Sequence, residues 1–154
     1  MNTALHLDHA IRRRAAGPHA SDVRWHRMQI QYERDRALRR VTVTLRGEYQ
    51  ASEILALLER HRVEDDWRDG RLYDVRDLTG RPTVGELRMF SRLDTAHRPH
   101  GPVAILTDNP ILYGLACTYA ALGRSTLKIE VFRDADEAAQ WLGNQGNEGG
   151  DVTP

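Results

Sequence analysis

Between Trp25 and Leu45 the apolar residues fall on alternate positions. Met28, Ile30 and Tyr32 alternate with Arg27, Gln29, Gln31 and Glu33; Val41, Val43 and Leu45 alternate with Arg40, Thr42, Thr44 and Arg46. A period of two on either side of the polar connection Asp35-Arg36-Ala37 predicts an antiparallel hairpin with one buried and one wet face. Gly47 breaks the run. Beyond it, Ile54, Leu55, Leu57 and Leu58 predict an amphipathic helix capped by Ser52, with Glu59, Arg60 and Arg62 turned to water. The pattern ends in Glu64-Asp65-Asp66-Trp67, an acidic bend expected in solvent with Trp67 tucked beneath the domain.

The rest of the chain repeats strand and helix. Arg71 to Val75 predicts a third strand. Thr83-Val84-Gly85-Glu86 then reads as a capping box, opening a helix whose apolar positions are Val84, Leu87, Phe90 and Leu93 and which ends near His97. Val103 to Leu106 is continuously apolar, as in a central strand covered on both faces. Asn109-Pro110 is an N-cap followed by proline at the first helical position. Ile111, Leu115, Tyr119 and Leu122 line one face of that helix, and Gly123 stops it. Leu127, Ile129 and Val131 alternate with Lys128 and Glu130, as in a strand near an edge. A last helix starts at Asp134-Ala135-Asp136-Glu137 and is anchored by Ala138, Trp141 and Leu142.

The element order ββαβαβαβα predicts an α/β domain: an N-terminal β-hairpin, then βα units, forming a five-stranded mixed sheet with four packed helices. Its expected limits are residues 23–143. Residues 1–22 form a weakly patterned tail with room for a short helix before Gly17-Pro18. Residues 144–154 are glycine-rich and polar, as in a disordered tail.

Composition narrows the function classes. The 154 residues suit one domain, and 22 Lys+Arg balance 22 Asp+Glu at a pI near 7.1. No global field draws such a chain to nucleic acid or to an anionic membrane. The lone Cys117 cannot form an internal disulfide, and its place among small residues in mid-helix reads as a buried structural thiol. With no spanning apolar run and no signal-peptide core, the expected location is cytoplasmic. His6, Asp8 and His9, and separately His97 and His100, lack the ligand sets of a metal site. Neither nucleotide-binding glycine motif occurs, and neither does a nucleophile elbow. Lys128 begins its strand, which excludes the acidic-pocket chemistry of a receiver domain. No cofactor, metal or catalytic residue is expected.

The stretches LYDVRDLTG, VAILTDNPILYGLA and IEVFRDADEAAQWL carry a resemblance. From about Met28 to Leu142 the chain resembles the SpoIIAA-like proteins, which have the STAS or anti-sigma-factor-antagonist fold. The resemblance implies a small binding or regulatory domain with helices packed on a mixed sheet. In the antagonists a serine in an Asp-Ser-Ser/Thr-Gly type of motif opens the helix after the strand matching Leu72–Val75, and its phosphorylation switches partner binding. Here that stretch is Pro82-Thr83-Val84-Gly85-Glu86. The Asp-Ser pair is missing, and Thr83 is the hydroxyl nearest the phosphoacceptor position.

Parallel sheets bind ligands at the carboxyl ends of their strands. Along that edge lie Arg76, Arg81, Thr83 and Asn109, with helix N-termini at Thr83 and Asn109 offering amides to an anion. Asp77 and Asp108 stand where they would neutralise the arginines and caps. The leading expectation is a non-catalytic regulatory module acting through a protein partner. The second is a small-molecule, anion or lipid-binding protein using the same edge. The hairpin and the last strand also leave sheet edges through which the chain could self-associate.

Overall fold

The computed structural model describes residues 27–96 and 100–147. The N-terminal tail with its histidines, His97, and residues 148–154 lie outside the described residues. Five strands and four helices follow the expected order: β1 (Gln29–Asp35), β2 (Arg40–Glu48), α1 (Ala51–Glu64), β3 (Gly70–Thr79), α2 (Val84–Thr95), β4 (Val103–Leu106), α3 (Pro110–Gly123), β5 (Ile129–Phe132) and α4 (Ala135–Asn147). The strands form one sheet in the order β1-β2-β3-β4-β5, antiparallel between β1 and β2 and parallel thereafter.

The hairpin forms where the alternation places it, with Ile30 opposite Leu45 and Tyr32 opposite Val43. Asp35 closes its turn by accepting the Leu38 amide at 2.9 Å. Parallel pairing then carries the inward set across the sheet, since Val41 lies beside Arg71, Val43 beside Tyr73, and Arg71 beside Val103. The register of β2 shifts between Thr44 and Arg46. Gly47 follows with φ of +85°, where a Cβ would run into the Arg27 carbonyl. Only glycine fits that approach.

Successive right-handed crossovers between neighbouring strands deposit their helices on one face. Accordingly Leu57 of α1 and Leu112 of α3 join Val41, Val43 and Leu45 in one cluster, while Leu58 and Phe90 of α1 and α2 pack with Trp67. Helix α4 takes the opposite face, setting Ala138 and Leu142 against Ala104 and Leu72. Arg40 of β2 reaches it through a 3.3 Å bond to the Ala139 carbonyl.

Four local expectations change. Helix α1 begins at Ala51 with Gln50 as its N-cap, so Ser52 already lies within the first turn. The buried face of α3 comprises Leu112, Ala116 and Gly123, and Ile111 and Leu122 point outward. That rotation leaves Cys117 exposed, not buried. Helix α4 continues to Asn147, past the expected start of the tail at 144, with Asp134 capping it by accepting the amides of Asp136 and Glu137.

Candidate functional site

The carboxyl ends of β3 and β4 bring the four candidate residues to one edge, and most of their polar groups are already engaged. Thr83 Oγ1 accepts the Glu86 amide at 3.1 Å, and Glu86 Oε2 accepts the Thr83 amide at 2.8 Å, completing the reciprocal capping box. Asn109 Oδ1 accepts the amides of Ile111 and Leu112 at 2.9 and 3.3 Å. Arg76 makes a two-pronged contact with Asp74, at 3.0 Å through Nε and 2.8 Å through Nη2. Burial alone would raise the Asp74 carboxyl; the Arg76 side chain and amide more than offset this and hold it below its ordinary value. Asp74, then, neutralises Arg76, while Asp77 pairs with Arg46 at 3.5 Å. Arg81 is exposed and has no ion pair among the described residues.

Behind this edge, between the sheet and helices α1, α2 and α3, lies a cavity of about 140 Å³. Leu45, Val75 and Ile105 form its sheet wall; Leu57, Leu87 and Leu112, one from each helix, form the opposite wall. Tyr49 and Pro82, from the loops after β2 and β3, border it at the carboxyl end. Tyr49 is held in place: its hydroxyl donates to Glu86 Oε2 at 3.1 Å, tying it to the capping box of α2.

The inner end of the cavity meets a buried polar network. Tyr73, Asp94 and Tyr119 line the cavity, and Arg71 lies beyond them. Arg71 Nη1 donates to Asp94 Oδ1 at 2.9 Å and to the Tyr73 hydroxyl at 3.2 Å; Tyr119 donates to Asp94 Oδ2 at 2.8 Å. The Tyr73 hydroxyl also hydrogen-bonds His61 Nε2, 2.8 Å away. On its other side His61 donates through Nδ1 to the Asp66 carboxylate at 2.8 Å, and Tyr32 donates to the other Asp66 oxygen. One continuous chain of hydrogen bonds thus runs from the strand interior to the α1–β3 connection.

Burial would raise the Asp66 carboxyl, but the bonds from His61 and Tyr32, followed by the charges of His61 and Arg71, leave it below the ordinary value. Desolvation raises the Tyr73 hydroxyl, with the Asp94 charge adding to it against the opposing pull of Arg71. Tyr73, His61 and Asp66 share the hydroxyl–imidazole–carboxylate order of a hydrolytic triad. A phenol with a raised pKa keeps its proton, however, and the His61 and Asp66 behind it are fully buried. The arrangement is suited to fixing the core.

The network changes one expectation. Asp66, placed in a solvated bend on its acidic neighbourhood, is fully buried, as are His61 and Arg71. A sequence signal for Arg71 did exist: it shares the period-two face of Tyr73 and Val75. His61 likewise follows Leu57 and Leu58 at helical spacing. Among the described residues, no group of three or more His, Cys, Asp or Glu side chains is placed to hold a metal ion, and no helix is long and apolar enough to cross a membrane.

Sheet order, hairpin and helix placement together define a SpoIIAA-like fold. Two solved structures are similar. One is an anti-sigma factor antagonist from Mycobacterium paratuberculosis, with TM-score 0.56 and 12% identity over 76% of this chain and 95% of that one. The other is an uncharacterised protein of the DUF3478 family with a SpoIIAA-like fold from Shewanella loihica PV-4, with TM-score 0.51 and 18% identity over 76% of this chain and 94% of that one. No protein-family model matches the sequence, and no curated protein does.

Proposed function

We propose that the chain is a non-catalytic regulatory module that docks a protein partner on the carboxyl-end edge of its sheet. The observation that carries this reading is the pair Val84 and Ile111, 47% and 55% exposed on the first turns of the adjacent helices α2 and α3. Exposed aliphatic side chains over internally satisfied caps suit a protein surface better than a phosphate cradle, whose amides would have to be unoccupied. Arg81 supplies an exposed cation beside them, and Arg76 and Asn109 complete the rim. The anti-sigma factor antagonist among the similar structures supports a regulatory role.

Thr83 supplies the switch in this proposal. A phosphate there would set a dianion beside the Glu86 carboxylate and open the capping box on which Tyr49 also depends. The test is affinity capture with the full chain and with the double variant Val84→Asp/Ile111→Asp. A partner held by the wild type and lost by the folded double variant is the expected result. Retention by both, or by neither, overturns the reading.

A further inference from the structure

The cavity behind the edge differs chemically from the edge itself. Protein interiors are packed like organic crystals, and voids large enough for a ring are uncommon in them. A cavity near 150 Å³ lined by aliphatic and aromatic side chains stays dry and takes up benzene. The one described here is about 140 Å³, with walls drawn from the sheet and from three helices. That size suits a single ring and is too small for a membrane lipid.

Its polar features sit at the inner end and set a second requirement. Asp94 accepts one bond at each oxygen, from Arg71 at 2.9 Å and from Tyr119 at 2.8 Å. Each carboxylate oxygen has capacity for a further donor. The ion pair with Arg71 already balances the Asp94 charge, so a second cation has no counter-charge there. An anion would face the carboxylate itself, and either ion would lose its hydration. A neutral body with one O–H or N–H group meets all of these conditions.

At the other end, Tyr49 borders the cavity and is tied through its hydroxyl to Glu86. The capping box of α2 therefore also anchors a side chain at the cavity rim.

From these three observations we infer that the cavity is a binding site for a compact, neutral, largely apolar molecule the size of a monocyclic phenol, its donor directed to Asp94. The inference is independent of the protein-partner reading, which concerns the outer surface.

The test uses the full chain and three probes: phenol, benzene and hexanoate. Methyl resonances of Leu112 and Ala116 report occupancy, and thermal melting reports linkage. Phenol is expected to bind about three- to tenfold more tightly than benzene, the factor of one hydrogen bond, and hexanoate most weakly. Ala116→Phe or Leu112→Phe should fill the space and abolish binding. Absence of any probe effect overturns the inference, as does an unchanged effect in a folded, filled variant. Equal affinity for phenol and benzene overturns the role of Asp94. If neither filled variant folds, NOEs between phenol and the Leu112 and Ala116 methyls of the wild type decide: their presence supports the site and their absence removes it.

Discussion

Arg71 and Asp94 face each other across 2.9 Å in a place where neither side chain reaches solvent. Arg71 keeps Nε and Nη2 without hydrogen-bond partners among the described residues, so Asp94 is its main compensation. Truncating one partner of a buried pair leaves an uncompensated charge. Asp94→Ala is therefore expected to destabilise the fold by about 3–5 kcal/mol in urea unfolding, whereas Arg71→Met with Asp94→Leu together should cost far less. A loss below about 1 kcal/mol for Asp94→Ala would contradict burial of the pair.

Asp66 gives a pH dependence of definite sign. Its folded pKa lies below the ordinary value of 3.8, so the folded state favours the carboxylate more than the unfolded chain does. The stabilisation is fully present above the unfolded value and is lost as pH falls through the folded value. Asp66→Asn should lower stability at neutral pH and flatten the acid limb of the stability curve below about pH 4. Denaturant midpoints measured from pH 7 to pH 2 check this, and parallel acid limbs for the two proteins would refute it.

Thr83→Ala removes an N-cap oxygen whose bond to the Glu86 amide is 3.1 Å. The expected loss is about 1 kcal/mol, with Thr83→Ser close to wild type. Thr83→Glu should destabilise more than Thr83→Ser, because its carboxylate sits beside that of Glu86. Thermal melts of the three variants separate the cap from the charge.

Cys117 should react with a disulfide-exchange reagent in the native protein, without denaturant, because it is exposed, beside the groove between α3 and β5. Reaction only on unfolding would restore the buried thiol that the sequence suggests.

Local chemistry was the most legible part of this chain. The capping box needs only Thr83 and Glu86, three residues apart, and the hairpin needs only its period of two. The mixed five-stranded sheet follows from these units, whereas the strand order β1 to β5 is set only by the fold. The polar network was hidden for the opposite reason. Tyr32 and Asp66 are separated by 34 residues and Arg71 and Asp94 by 23, so even where spacing points a residue inward, its partner is supplied only by the fold. The face of α3 was misplaced for a smaller cause. Apolar side chains run nearly all round that helix, and Leu112 fits the inward stripe as well as Ile111 does. At the candidate edge topology places the four residues along one side of the sheet, but the pairing of Arg76 with Asp74 depends on side-chain reach that spacing alone does not specify.

The sheet order β1 to β5 is also the order in which a ribosome would deliver the strands. Each new parallel strand finds its neighbour already at the growing edge, so assembly requires no strand to be inserted between two earlier ones. The helices that follow β2, β3 and β4 close one face step by step. The other face has a different history. Leu72 and Ala104 wait for Ala138 and Leu142, because among the described helices only the 13-residue α4 packs on that side. Until α4 docks, the nascent chain leaves apolar surface on that side open to misassociation.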